Sequence, residues 1–232
     1  MVASASAIPE PAELQNGDRM TQEEFHRVYK RMPPHVKAEL IGGIVYVASP
    51  LGRNHGARHM PLSAVLFAYE GHTPGVESGD NATILLGDQG EPQPDLFLRI
   101  LPEFGGQSHT VDDNIVGAPE LIIEIASSSR AIDLHLKRHD YARYGVREYL
   151  VATLHEQELC WFDLRSGRQL QPDADGVIRV HTFPGLWINQ AAVFSRNYQM
   201  LMQTLQQGLA TAEHADFLQR LARAQTRDGG PH

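Results

Sequence analysis

Two carboxylates and a lysine are the residues whose types and spacing could do chemistry. Glu124 stands in the middle of "LIIEIAS" (121–127), a run that reads as a strand covered on both faces. An ionised carboxylate taken out of water unpaired costs several kcal/mol, so a cation must stand near it. Asp95 opens a second apolar run in "EPQPDLFLRI", after a proline that holds the approaching chain extended. Carboxylates entering from neighbouring strands make an oxygen-rich site for a hard cation. Mg²⁺ takes one or two such groups together with water and substrate phosphate. Ala126 points the same way as Glu124 and leaves room beside it. If a phosphodiester is to be cut there, a positive group must orient the water and stabilise the developing charge. Lys137 can supply it, since Asp133, Lys137 and Tyr141 share a helical face at i, i+4 spacing. Plainer readings stand beside each: a buried arginine as partner for Glu124, a Pro-Asp turn for Asp95, a surface ion pair for Asp133 and Lys137.

These residues need a scaffold, and the sequence outlines one. "MTQEEFHRVYKRMPP" carries a capping box, Thr21 with Glu24, and a Pro-Pro stop, which predicts a short helix. "KAELIGGIVYVASP" is apolar and β-branched around Gly42-Gly43, the pattern of a hairpin. "NHGARHMPLSAVLFAYEGH" predicts a helix in which Pro61 fits only the first turn or a kink. "VESGDNATILLG" and "PDLFLRI" read as short strands, and "LIIEIAS" as the fourth or fifth strand, central in the sheet. "SSSRAIDLHLKRHDYARYGV" has serines for an N-cap and Gly145 for a stop. "REYLVAT", "ELCWFDL" and "GVIRVHTF" are expected to close the sheet. Phe194, Tyr198, Leu201, Leu205, Leu209 and Ala212 recur as one helical stripe, able to pack on its own domain or on a second subunit.

Composition narrows the partners. The chain has 232 residues, 42% of them apolar, and a net charge of −8. That is a globular composition, and its sign argues against a general nucleic-acid coat, whose affinity rests on Lys and Arg. From Arg130 to Arg147, however, five basic residues stand against two acids, so positive charge is confined to one segment. Residues 1–19 read as a loose tail without signal-peptide features. No stretch is apolar enough for a bilayer, and Cys160, the single cysteine, fits a cytoplasmic protein.

The ordered set "PQPDLFL", "APELIIEIASSSRAIDLHLKRHDYARYGVREYLVA" and "FPGLW" resembles the Uma-type "putative restriction endonuclease" family of the PD-(D/E)XK nuclease superfamily. The resemblance runs from "MTQEEF" to "GLW". It implies an α/β restriction-endonuclease-like fold, a central mixed sheet flanked by helices over 20–190; outside the resemblance, the apolar stripe reads as a C-terminal helical extension over 191–226 and the polar end as frayed at 227–232. It further implies that Asp95 and Glu124 hold Mg²⁺, with Mn²⁺ as the alternative, and that the main-chain carbonyl of Ile125 is a further ligand. The superfamily's usual lysine position, two residues after the acid, is taken here by Ala126, and Lys137 matches the lysine moved to the next helix. Glu39 and His55 match recurrent positions, as contacts behind the ligands or to substrate, a role open also to Asp133 and Tyr141. Arg130, Arg138 and Arg143 could track a nucleic-acid backbone or form a solvated helix face. DNA is the expected substrate, and a homodimer would set two sites on opposite strands.

Rival chemistries find less support. His55 with His59, and His135 with His139, have chelating i, i+4 spacing, but Gly56 and Leu136 stand where an HExxH glutamate would be. Ser127, Ser128 and Ser129 lie in no G-x-S-x-G elbow, and no phosphate-binding or dinucleotide fingerprint is present. The alternative from another class is a nuclease fold that has lost activity and serves as a binding or assembly module.

Overall fold

The computed structural model describes residues 13–48, 52–126 and 129–228. In chain order the elements are α1 (Gln22–Tyr29), β1 (Ala38–Ile41), β2 (Ile44–Val47), α2 (Arg53–Gly71), β3 (Val76–Gly79), β4 (Ile84–Leu85) and β5 (Leu96–Ile100). Then follow β6 (His109–Val111), β7 (Asn114–Val116), β8 (Leu121–Ala126), a π-helical stretch at Ile132–Lys137 continuing into α3 (Arg138–Tyr144), β9 (Glu148–Thr153), β10 (Glu158–Asp163) and β11 (Arg168–Leu170). The chain ends with β12 (Val177–Arg179), β13 (Trp187–Asn189), α4 (Gln190–Ser195), α5 (Tyr198–Leu209) and α6 (Ala212–Asp228).

Six strands form the main sheet in the order β11-β10-β9-β8-β5-β3. Only β8 and β9 are parallel, and the helix between them is the crossover that a parallel pair requires. Side chains alternate along β8, so Leu121, Ile123 and Ile125 enter one apolar core while Ile122 and Ala126 enter another. The first core is covered by α2 and the C-terminal helices, the second by the helix ending in α3. Burial on both faces explains the unbroken apolar character of "LIIEIA", and β8 is central, as expected.

The predicted hairpin is β1–β2, with Gly42 and Gly43 both left-handed at φ 58° and 74°, as a two-residue turn of this kind demands. Leu40 exchanges main-chain hydrogen bonds with Glu91, pinning the hairpin to the loop ahead of β5. Thr21 and Glu24 form the expected capping box of α1. Pro61 lies well inside α2 rather than in its first turn. Of the serines expected to cap the crossover helix, Ser127 and Ser128 lie outside the described residues, while the Ser129 carbonyl accepts from the N–H groups of Ile132 and Asp133.

Several expectations are corrected. Residues 13–19 are docked rather than loose: Leu14 is buried, and Gly17 donates to the Val45 carbonyl at 2.9 Å. "GVIRVHTF" supplies β12, which pairs with β13 in a separate two-stranded sheet, and the edge of the main sheet is formed by β11 instead. The single C-terminal stripe is three helices, broken where Arg196 turns left-handed at φ 57° and again at Ala210. Its Leu201 and Leu205 are fully buried against the domain's own core. Among the described residues no helix is long and apolar enough to cross a membrane.

Candidate active site

The site forms at the carboxyl end of β8, where three layers meet. Glu124 leaves β8 on the α3 side, and Asp95 lies at the entry to the neighbouring strand β5, whose Leu96 pairs with Ile123. The two are interlocked. Ile125 N–H donates to Asp95 Oδ2 at 2.7 Å, and Asp95 N–H approaches Glu124 Oε2 at 3.4 Å. A residue's N–H and C=O leave an extended strand on the same side, so the Ile125 carbonyl also faces the Asp95 edge rather than β9.

Lys137 answers the charge of Glu124. Its Nζ lies 3.0 Å from Glu124 Oε1, 2.9 Å from Glu39 Oε2 and 3.8 Å from Asp133 Oδ1. Tyr141 donates its hydroxyl to the same Glu124 oxygen at 2.8 Å. Glu39 points out of the hairpin because its neighbours Ala38 and Leu40 face a small core with α1, and Gln93 N–H holds it at 2.8 Å. From the opposite face of the sheet, the first turns of α2 bring His55 Nε2 to 3.0 Å from Asp95 Oδ1 and His59 Nε2 to 3.0 Å from the Asp95 carbonyl.

Three carboxylates, Glu39, Glu124 and Asp133, therefore surround one lysine, with Asp95 joined to the cluster through Glu124 and Ile125, and Glu124 and Lys137 are only 3% and 5% exposed. Burial pushes the Glu124 carboxyl well up; Lys137 opposes this, and the charges on Asp95, Asp133 and Glu39 add to it. Burial also works against the Lys137 ammonium, but Glu124, Glu39 and Asp133 outweigh it and hold its pKa well above the usual lysine value. Lys137 is thus a fixed cation and not a base. Asp95 is different: burial would raise it, yet the hydrogen bond and field of His55, the Ile125 N–H and Lys137 together leave it below the ordinary range. Tyr141 is pushed well up by burial and by Glu124, so its hydroxyl keeps its proton.

This donor set suits a divalent cation. The cluster holds more negative charge than its lysine cancels, and among the described residues Glu124 Oε2 has only the long contact from Asp95 N–H. Among the described residues no three His, Cys, Asp or Glu side chains form a ready metal cage. Two carboxylates with water and a substrate oxygen is the arrangement Mg²⁺ accepts.

The structure brings together Glu39, His55, Asp95, Glu124, Asp133, Lys137 and Tyr141. It separates the arginines from them. Arg130 pairs with Glu156 at 3.2 Å, Arg138 lies over the Phe162 ring at 4.1 Å and donates to the Gly167 carbonyl at 2.8 Å, and Arg143 donates to Gln89 at 3.0 Å. His135 and His139 are exposed and lie outside this cluster. Sequence reasoning missed Gln93, which positions Glu39, and Ser129, which donates to Asp133 Oδ2 at 2.5 Å. It also missed Tyr149, whose hydroxyl donates to the Asp133 carbonyl at 3.0 Å. A tyrosine in a fully buried strand needs a partner for its hydroxyl, and that signal was available.

Comparison with known proteins agrees with this architecture. The fold is similar to the crystal structure of "a putative nuclease" from Anabaena variabilis, with a TM-score of 0.59 at 16% identity, covering 76% of this chain and 98% of that one. No curated protein matches the chain. At that identity the likeness speaks for the fold alone. The sequence itself matches the Uma2 family, described as "Putative restriction endonuclease", over residues 22–192. That span holds the whole sheet and every residue of the cluster, and the chain belongs to the Uma2 family.

Proposed function

We propose that this protein is a divalent-metal-dependent endonuclease that hydrolyses phosphodiester bonds in DNA, with Asp95, Glu124 and Lys137 as its catalytic residues. The observation that carries the reading is the delivery of Lys137 Nζ to within 3.0 Å of a buried Glu124 interlocked with Asp95, in a cluster with excess negative charge. Asp95, Glu124 and the Ile125 carbonyl would hold Mg²⁺ or Mn²⁺. Bound there, the ion would supply Lewis acidity towards a phosphoryl oxygen and acidify the attacking water.

The chain's own residues have separate tasks. Asp95, kept ionised by His55 and the Ile125 N–H, is the standing anionic ligand. Glu124 is fixed by Tyr141 and Lys137 through one oxygen, which leaves the other for the ion. Lys137 stays charged throughout, so it orients the nucleophile and stabilises the charge that develops at phosphorus. Glu39 and Asp133 anchor the ammonium, and Gln93 and Ser129 anchor them in turn.

The test is Mg²⁺ and Mn²⁺ titration by calorimetry on the wild type and on Glu124→Gln, beside cleavage of plasmid and linear DNA. At least tenfold weaker metal binding and loss of cleavage in the variant are expected. Equal binding and equal cleavage would remove Glu124 from the site. No binding and no cleavage in the wild type would favour the inactive binding module.

A further inference from the structure

The arginines expected to hold a nucleic-acid backbone are turned away from the site, and the carboxylates of the cluster outnumber its one lysine. A phosphate chain therefore needs a cation placed beside the cluster. Positive charge is not confined to residues 130–147: from His26 to Ala38 the chain has Arg27, Lys30, Arg31 and Lys37 and no acid. This run ends α1 and enters the hairpin that carries Glu39. Ala48 N–H donates to the Lys37 carbonyl at 2.8 Å, so the β1–β2 ladder extends to Lys37. Alternation then puts Lys37 on the same face as Glu39, about 7 Å along the strand, while Ala38 and Leu40 face the small core under the hairpin. Glu39 reaches Lys137, so Lys37 stands at the rim of the same site.

The surroundings of Lys37 fix its position without cancelling its charge. It is exposed, and among the described residues its Nζ has one hydrogen-bond partner, the neutral Asn81 Oδ1 at 3.4 Å. Asn81 lies in the turn after β3, left-handed at φ 49°, and its N–H donates at 3.0 Å to the carbonyl of Pro94, the residue before Asp95. Its side-chain amide donates to Asp80 Oδ2 at 3.3 Å, and that carboxylate is 3.7 Å from His59 Nε2. The turn therefore ties the hairpin to α2 around the entry to β5, where Asp95 stands.

We propose that Lys37 binds a phosphate of the nucleic-acid strand next to the one that is cut, and so aligns the scissile bond over Asp95 and Glu124. The inference rests on the endonuclease reading above and adds a substrate contact to it. Lysine is a flexible point charge, which suits a backbone phosphate and reads no base. Its bond to Asn81 is long and made to a neutral oxygen, so exchanging it for a phosphate oxygen gains a charge-assisted contact.

Fluorescence anisotropy of a labelled DNA duplex, with Ca²⁺ in place of Mg²⁺ so that it is bound and not cut, measures the contact across about 50 to 200 mM salt. Each phosphate neutralised contributes about 0.9 to the slope of log affinity against log salt. Lys37→Gln should therefore flatten that slope by about 0.9 and weaken binding about eightfold near 0.1 M salt, and Lys37→Arg should restore most of it. Arg165→Gln removes the same charge from an exposed turn at the other end of the sheet, beyond Asp163, and should leave both unchanged. With Mg²⁺ present, KM for Lys37→Gln should rise by the same factor while kcat stays within about twofold. Wild-type slope and affinity in Lys37→Gln, a loss shared by Arg165→Gln, or a fall in kcat with KM unchanged would overturn the assignment, and the endonuclease reading would stand as long as the wild type still cuts. A wild type that neither binds nor cuts DNA would bring down both.

Discussion

Replacing Lys137 by Met, which keeps the length of the side chain and removes its charge, tests whether the ammonium is what permits Glu124 to be buried. Glu39 retains some contact with water and can shed its charge outward, but Glu124, 3% exposed, cannot. Among the described residues it is left in the variant with the Tyr141 hydroxyl and the distant Asp95 N–H. Two states are then open to it. Remaining charged costs several kcal/mol. Taking a proton costs about 1.4 kcal/mol per pH unit above an ordinary glutamate pKa of about 4.3, hence about 3.7 kcal/mol at pH 7 and about 1 kcal/mol at pH 5. The cheaper state sets the ceiling. Burial and the neighbouring acids already raise Glu124 in the wild type, so part of that cost is present before the substitution. A loss of about 2–3 kcal/mol at pH 7 is therefore expected, roughly 5–10 °C in Tm for a chain of this size. The sign follows from a carboxyl whose folded pKa is raised: the deficit is full above that pKa and disappears as pH falls towards the unfolded value. Thermal and urea unfolding of both proteins at pH 7 and pH 5 measure it. No deficit at pH 7, or a deficit that grows towards pH 5, would refute the assignment of Lys137 as the counter-charge of Glu124.

Two further predictions concern residues away from the cluster. Arg138→Ala should cost about 1 kcal/mol in urea unfolding, through its lost contact with Phe162 and the Gly167 carbonyl, and leave DNA affinity unchanged; weaker DNA binding at unchanged stability would return this arginine to a backbone-tracking role. His214 donates from Nδ1 to the Leu209 carbonyl at 3.0 Å, which leaves Nε2 to accept from the Thr73 hydroxyl at 3.1 Å. Burial lowers its pKa, partly offset by Leu209, so the unfolded chain takes up the proton first. Stability should be full above about pH 6.5 and decline as pH falls below it, and His214→Gln should flatten that slope in urea midpoints; an unchanged slope would remove His214 as its source.

Where local pattern and tertiary demand agree, the fold was legible. Thr21 with Glu24, Gly42-Gly43, "LIIEIA" and Gly145 each announce a cap, a turn, a buried strand or a stop, and each is found. The β6–β7 hairpin was not foreseen, because its strands have three residues each and β6 is wholly exposed, so no apolar alternation marks them. Only Asp112 and Asp113, both left-handed at φ 48° and 65°, signal a turn there. The C-terminal stripe misled because its period continues across the breaks; the Asn197 side chain, which accepts from Met200 N–H at 3.1 Å, was the cap that marks a new helix. The grouping of Asp95, Glu124 and Lys137 was expected from residue type and from the family resemblance, and the three do lie together. The contact of Glu39 with Lys137 joins residues 98 apart, and Gln93 acts through its main chain, so neither left a local trace.

The place of the lysine on a helix rather than on the strand has a geometric cause. Ala126, two residues after Glu124 and on the same face, is buried in the core that also holds Leu134 and Tyr141. A lysine stem at that position would fill the space into which the crossover helix descends. With alanine there, the helix comes close enough for its own side chains to reach Glu124. A regular α-helix would still scatter them, because each i to i+4 step drifts forward by about 40° and Asp133 and Tyr141 are two such steps apart. The turns from Ile132 to Lys137 are π-helical, with more than four residues per turn, so the step from Asp133 to Lys137 falls short of a full circle. That backward step cancels the forward drift from Lys137 to Tyr141 in α3. Asp133 and Tyr141 consequently flank the ammonium, one 3.8 Å from it and the other bonded to its carboxylate partner at 2.8 Å. A widened helical turn, and a small residue on the strand beneath it, together bring to Glu124 the cation that its burial requires.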